Sequence, residues 1–92
     1  MTGKKERAVI TVTGVDHPGI VAAVTTELAK LSVNIEDISQ TILQDFFTMI
    51  MIVDVSSVKR SEVQKALDRV ADKQKVKIIM QHEDLFKYMH RV

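Results

Sequence analysis

The sequence predicts an α+β fold, a four-stranded antiparallel sheet with two helices on one face and a short closing helix. Three observations carry that prediction. β-Branched runs and helical spacings follow one another in the order strand, helix, strand, strand, helix, strand. A break of only two residues, Gln44-Asp45, separates the middle strands and makes them hairpin neighbours. The chain has 92 residues, the length of one domain.

Each element has its own justification. Residues Ala8 to Thr13 are short and β-branched and stop at Gly14, which reads as a strand. Val15-Asp16-His17-Pro18-Gly19 breaks regular structure because Pro and Gly adjoin. Ile20, Val24, Leu28 and Leu31 then recur at helical spacing, with Ala22 and Ala23 between them as strong helix formers. The stretch from Ser32 to Asn34 ends this helix, with Asn34 expected to take the left-handed backbone at the exit. A second strand runs from Asn34 to Leu43 with Ile38, Gln40 and Ile42 on one face, and a third from Phe46 to Val55. Ser61 and Gln64 have the spacing of a capping box, opening a helix with Val63, Ala66, Leu67 and Val70 inward. Val76 to Gln81 is the fourth strand, and Leu85, Phe86 and Met89 suggest the closing helix. Two right-handed βαβ crossovers give the strand order 2-3-1-4, with both helices on one face.

Composition bounds the function. Hydrophobic residues make up 46% of the chain and aromatic residues 4%, so the core is aliphatic. The third strand is apolar on both faces, and the face away from the helices needs cover from the C-terminal segment or from another subunit. The net charge is +1 with mixed signs, and Glu6 interrupts the basic run Lys4, Lys5, Arg7. Residues 1–7 therefore read as a flexible, solvated N-terminus preceding a domain at 8–92, not as a nucleic-acid arm. The chain has no cysteine, which excludes disulfides, thiolate metal sites and a thiol nucleophile. No apolar run is long enough for a membrane helix, and no secretory signal opens the chain. The expected location is the cytoplasm.

The chemistry concentrates in the loop after the first strand. Gly19 at the first helical turn lets a ligand approach the exposed N–H groups there, where the helix dipole favours a carboxylate. Pro18 sets the approach angle of the chain without sacrificing a donor. An amino acid offers a carboxylate to those N–H groups and an ammonium group to Asp16. The simpler reading is that Asp16 caps the helix and Pro18-Gly19 merely starts it. The start of the second strand, Asn34 and Ile35, is expected to lie beside this loop. His17 has no sequence-adjacent arrangement that makes it an acid or base. His82 and His90 are too far apart to share a helix face, so no metal site is expected. Glu36 and Asp37 point to opposite strand faces and do not pair. Met49, Met51 and Met80 read as packing residues. No catalytic residue and no cofactor site emerges.

The stretch Gly14-Val15-Asp16-His17-Pro18-Gly19-Ile20-Val21, followed by Leu31-Ser32-Val33-Asn34-Ile35-Glu36-Asp37-Ile38-Ser39-Gln40-Thr41, resembles an ACT domain. It is similar in particular to stand-alone bacterial and archaeal ACT proteins of unassigned function, whose pattern Phe46-Phe47-Thr48-Met49 also matches. The likeness extends from Ala8 to the tail. It implies a ferredoxin-like fold that pairs as a homodimer, a regulatory rather than enzymatic role, and an amino acid or related small molecule bound at the subunit interface. Carried over by position, the implied ligand-binding residues are Asp16, His17, Gly19, Ile20, Asn34 and Ile35. Some amino-acid-binding relatives have Asn at the position of Asp16 and a side-chain donor at that of Gly14, so ligand identity does not carry over.

Other modules of this topology fit less well. An RNA binder needs aromatic and basic residues together on its open face, but Phe46 and Phe47 are adjacent and lack basic neighbours. A copper carrier needs two cysteines, and an acyl-phosphate hydrolase needs an Arg in the first loop. Two readings remain: a ligand sensor acting on a regulated protein partner, and a ligand-free assembly module.

Overall fold

Alternation along the first strand sets the two faces of the sheet. In the computed structural model, which describes residues 5–85, β1 runs Arg7–Val15. Ala8, Ile10 and Val12 are fully buried, every second residue as a strand requires. β2 (Asn34–Leu43), β3 (Phe46–Asp54) and β4 (Lys77–His82) complete one sheet in the order β2-β3-β1-β4. All pairings are antiparallel. Helices α1 (Ile20–Lys30) and α2 (Arg60–Gln74) supply the second layer. Element order and strand order are those the sequence predicts.

One aliphatic core joins the layers. Ile20, Val24 and Leu28 of α1 and Val63, Leu67 and Val70 of α2 meet Ala8, Ile10 and Val12 of β1 and Phe47, Met49, Met51 and Val53 of β3. The expected inward positions of α2 are all buried, Ala66 included. Register carries the opposite face: Val15 pairs with Phe46, and Phe46 with Leu43, so these three form a cross-strand row. All three are exposed. Among the described residues of that face of β1, only Val9 is buried.

Several local expectations need correction. The left-handed residue leaving α1 is Ser32 (φ 59°), not Asn34, which opens β2. Val33 N–H reaches Leu28 C=O (3.0 Å) and Ser32 N–H reaches Ala29 C=O (3.0 Å). That bonding pattern requires a left turn one residue past the helix cap, whatever residue stands there. The capping box does not form either. α2 starts two residues earlier than a Ser61 cap requires, and its N-cap, Lys59, makes no side-chain cap. Glu62 and Val63 N–H both close on Lys59 C=O. Ser61 is thus already helical, and Gln64 donates instead to Asp68 Oδ1 at 2.8 Å.

The chain entering β1 is tied down. Lys5 and Arg7 bond Glu36, Glu6 C=O accepts from Val55 N–H at 2.8 Å, and Glu6 N–H donates to Ser56 Oγ at 2.9 Å. Arg7 is already a strand residue. At the other end, residues 83–85 begin a helical turn. Phe86, Met89 and His90 of the expected closing segment lie outside the described residues.

Candidate functional site

The turn between β1 and α1 is held from two sides by main-chain groups. Asp16 N–H donates to Asp45 C=O at 2.8 Å, which draws the turn toward the β2–β3 hairpin. The ring of His17 faces the other way: its Nε2 lies 2.8 Å from Gln74 C=O at the end of α2, and its Nδ1 lies 3.0 Å from Pro18 C=O. Gly19 is the N-cap of α1 with φ 94°, a left-handed backbone that glycine adopts without a steric penalty. A Cβ built on Gly19 would meet nothing within 4 Å. The space in front of the helix start is open.

No side chain caps α1, and its first turn holds no acidic residue. The N–H groups opening a helix have no carbonyl four residues behind them. Ala23 N–H is the first to bond within the helix, to Gly19 C=O at 2.9 Å. Ile20, Val21 and Ala22 therefore present their N–H groups beside Gly19. Ile20 is buried, so it can offer a ligand only its main chain. The Asp16 side chain is exposed and does not cap the helix, which removes the simpler reading of that residue.

Register places the other expected residues elsewhere. Asn34 pairs with Asp54, and Asp54 with Arg7. Asn34 is thus level with the start of β1, whereas the turn leaves its end after Val15. At ~3.3 Å per residue the two lie roughly 25 Å apart within one chain. The expectation that the loop and the start of β2 adjoin fails for a single chain, because antiparallel pairing through β3 runs β2 alongside β1 in the same direction. Asp16, His17, Gly19 and Ile20 come together; Asn34 and Ile35 do not join them.

The Asn34 end carries an ionic clasp that sequence reasoning missed. Glu36 accepts from Arg7 Nε at 2.8 Å and from Lys5 Nζ at 2.9 Å. The hydrogen bond from Arg7, and then that from Lys5, holds the Glu36 carboxyl below its usual range. The hydroxyl and N–H of Ser56 do the same for Asp54. Glu36 is available for this because β2 has an irregularity between Ile35 and Asp37, where Ile35 opposes Val53 and Asp37 opposes Ile52. The signal was present: two apolar residues three apart cannot share a face of a regular strand, and an extra residue restores them to one side.

The comparisons with known proteins bear on most of the chain. Residues 6–81 match the ACT domain family. This chain belongs to the ACT domain family. A UPF0237 protein of Methanococcus maripaludis is 56% identical over 89 residues, covering 95% of this chain and 99% of that protein. An ACT domain protein from Streptococcus pneumoniae superposes with a TM-score of 0.78 at 35% identity, over 91% of this ACT domain and 97% of that chain. The regulatory subunit of aspartate kinase from Thermus thermophilus, in a ligand-free form, superposes with a TM-score of 0.69 at 26% identity, over 83% and 51% of the two chains. ACT domains are in general regulatory, small-molecule-binding modules rather than catalysts. Among the described residues of this ACT domain, no helix is long and apolar enough to cross a membrane.

Proposed function

We propose that this ACT domain is a regulatory module that binds an amino acid at the interface of a homodimer. The observation that carries the reading is the uncapped, open start of α1 at Gly19, beside the exposed carboxylate of Asp16. The N–H groups there suit a ligand carboxylate, and Asp16 suits its ammonium group.

The separation of Asn34 from this turn supports a dimeric site. β2 is an edge strand ten residues long, with Ile38 44% and Ile42 55% exposed. Such an edge is a template for another strand. Antiparallel pairing of two β2 edges about their midpoint sets the partner's Asn34 level with Leu43. Leu43 is in register with Phe46 and Val15, so the partner's Asn34 comes to the end of the sheet where the turn departs. The Asp16–Asp45 bond leans the turn toward that edge. A two-fold pair thus assembles residues that one chain keeps apart.

A thermal shift screen over the standard amino acids tests the reading. A ligand at 100 times its Kd stabilises by about 2.7 kcal/mol, which is a rise of roughly 10 °C or more for a domain of this size. Asp16→Asn should weaken the response about tenfold or more through the lost charge-assisted bond. Its melting point without ligand should change little, since the side chain makes no hydrogen bond in the fold and acts there only as a charge next to His17. Ile38→Lys, which puts a charge on the β2 edge, should shift light scattering from dimer toward monomer. An unaltered dimer in that variant would move the interface off β2.

The second reading, a ligand-free assembly module, is favoured by the row Val15, Leu43 and Phe46, exposed by 59%, 72% and 61%. Flat responses to every amino acid at millimolar concentration, with the dimer intact, would select it.

A further inference from the structure

Both ring nitrogens of His17 face main-chain carbonyls, Nε2 that of Gln74 at 2.8 Å and Nδ1 that of Pro18 at 3.0 Å. A carbonyl oxygen only accepts, so both contacts are hydrogen bonds only when both nitrogens carry a proton. A neutral ring has one N–H, and its other nitrogen would turn a lone pair onto an oxygen. The Gln74 carbonyl is also a particular acceptor. It is the last of α2, at the negative end of the helix dipole, where a cation is favoured. The exit from that helix instead uses the Ala71 carbonyl, which accepts from Val76 N–H at 3.1 Å.

We propose that His17 is a protonation-dependent latch: as imidazolium it holds the β1–α1 turn against the last turn of α2, and loss of a proton releases the turn. The proposal rests on the reading of that turn as the ligand site, and there it makes His17 a positioning residue for the N–H groups at the start of α1. The charged groups on the elements packed against the turn lie on four segments. Asp16 precedes it on the turn, Asp45 lies on the hairpin that bonds the turn, and Lys73, Lys75 and Lys77 flank Gln74 and open β4. Among the described residues, Asp16 is the charge that acts on the ring, and it favours the protonated form. The Gln74 carbonyl first, and then that of Pro18, raises the His17 pKa above the ordinary imidazole value against a smaller effect of burial. Because the folded value is the raised one, the latch contributes fully below the unfolded-state pKa. That contribution is lost as pH rises through the folded-state pKa.

Nitrogen NMR of the ring in the full-length protein, across roughly pH 5 to 9, tests this directly. His17 should keep both ring protons to a pH above the ordinary histidine value, and the amide resonances of Asp16, Gly19 and Lys75 should move at the same inflection. His82, paired with Glu6 at the other end of the sheet, should give a separate resonance. His17→Gln keeps one donor and should erase the inflection from all three amides. The excess of the wild-type urea midpoint over that of H17Q should shrink as pH rises through the same inflection. A His17 that titrates at or below the ordinary value, or amides that do not respond to it, overturns the latch. Repeating the amino-acid screen at both ends of the pH range tests the positioning role. Stabilisation should weaken above the inflection in wild type and stay level in H17Q, and an equal response at both ends in wild type overturns that role. If no amino acid binds, the ligand reading falls, while the ring titration still decides the latch.

Discussion

Leu67→Ala is expected to lower the unfolding free energy by about 2–5 kcal/mol, read from urea melts at constant slope. Leu67 is fully buried in α2 and belongs to the cluster that joins both helices to β1 and β3. Truncation removes apolar area from the core and leaves a cavity beneath α2 that its neighbours only partly fill. Domains have a total stability of roughly 5–15 kcal/mol, so this one change consumes a large fraction of it. The effect should extend to the candidate site, because Gln74 at the end of the same helix holds His17. A loss below about 1 kcal/mol would mean that α2 does not anchor the fold as its burial implies.

Gly14→Ala should cost about 1–3 kcal/mol by overpacking. A Cβ on Gly14 would lie 2.8 Å from Val76 Cγ1, 3.2 Å from Val76 Cβ and 3.3 Å from its Cα. A β-branched side chain has little rotameric freedom to move aside, and the next atoms in line are Cβ and backbone. The start of β4 must therefore shift away from β1. Urea melts of G14A, V76A and the double variant would separate this contact from general loss of packing. The double variant should lose less than the sum of the singles, because removing Cγ1 opens part of the space. Strict additivity would refute the close approach. The contact matters for function because Gly14 leads into the turn while Val76 follows the end of α2. It fastens the same corner that His17 bridges.

Much of this architecture was legible in local pattern. Ile20, Val24 and Leu28 at helical spacing, and Phe47, Met49, Met51 and Val53 at alternate positions, announced their buried faces because periodicity reports which side of an element is apolar. The hairpin at Gln44-Asp45 was legible without a glycine, although Gln44 takes φ 57° to make it. The errors lay at element ends. Asn34 and Ser61 are residues whose side chains favour exits and caps, yet the backbone bonding of Ser32, Val33 and Lys59 decided those positions. Propensity ranks what a residue tolerates, while a helix ends where its neighbours can satisfy its last donors and acceptors.

From the residues themselves came the βαββαβ order, the aliphatic core and the choice of the Asp16–Gly19 turn as the place for chemistry. These follow from near-neighbour periodicity, backbone restrictions at Pro and Gly, and the donor inventory of a helix start. Only the tertiary structure decided that Asn34 sits at the opposite end of the sheet, that Lys5 and Arg7 clasp Glu36, and that Nε2 of His17 meets the Gln74 carbonyl. Each of these contacts depends on strand register and on the meeting of residues far apart in the chain, as with the 57 positions between His17 and Gln74. No local pattern encodes where such partners come to rest, because packing of the whole sheet and both helices determines it.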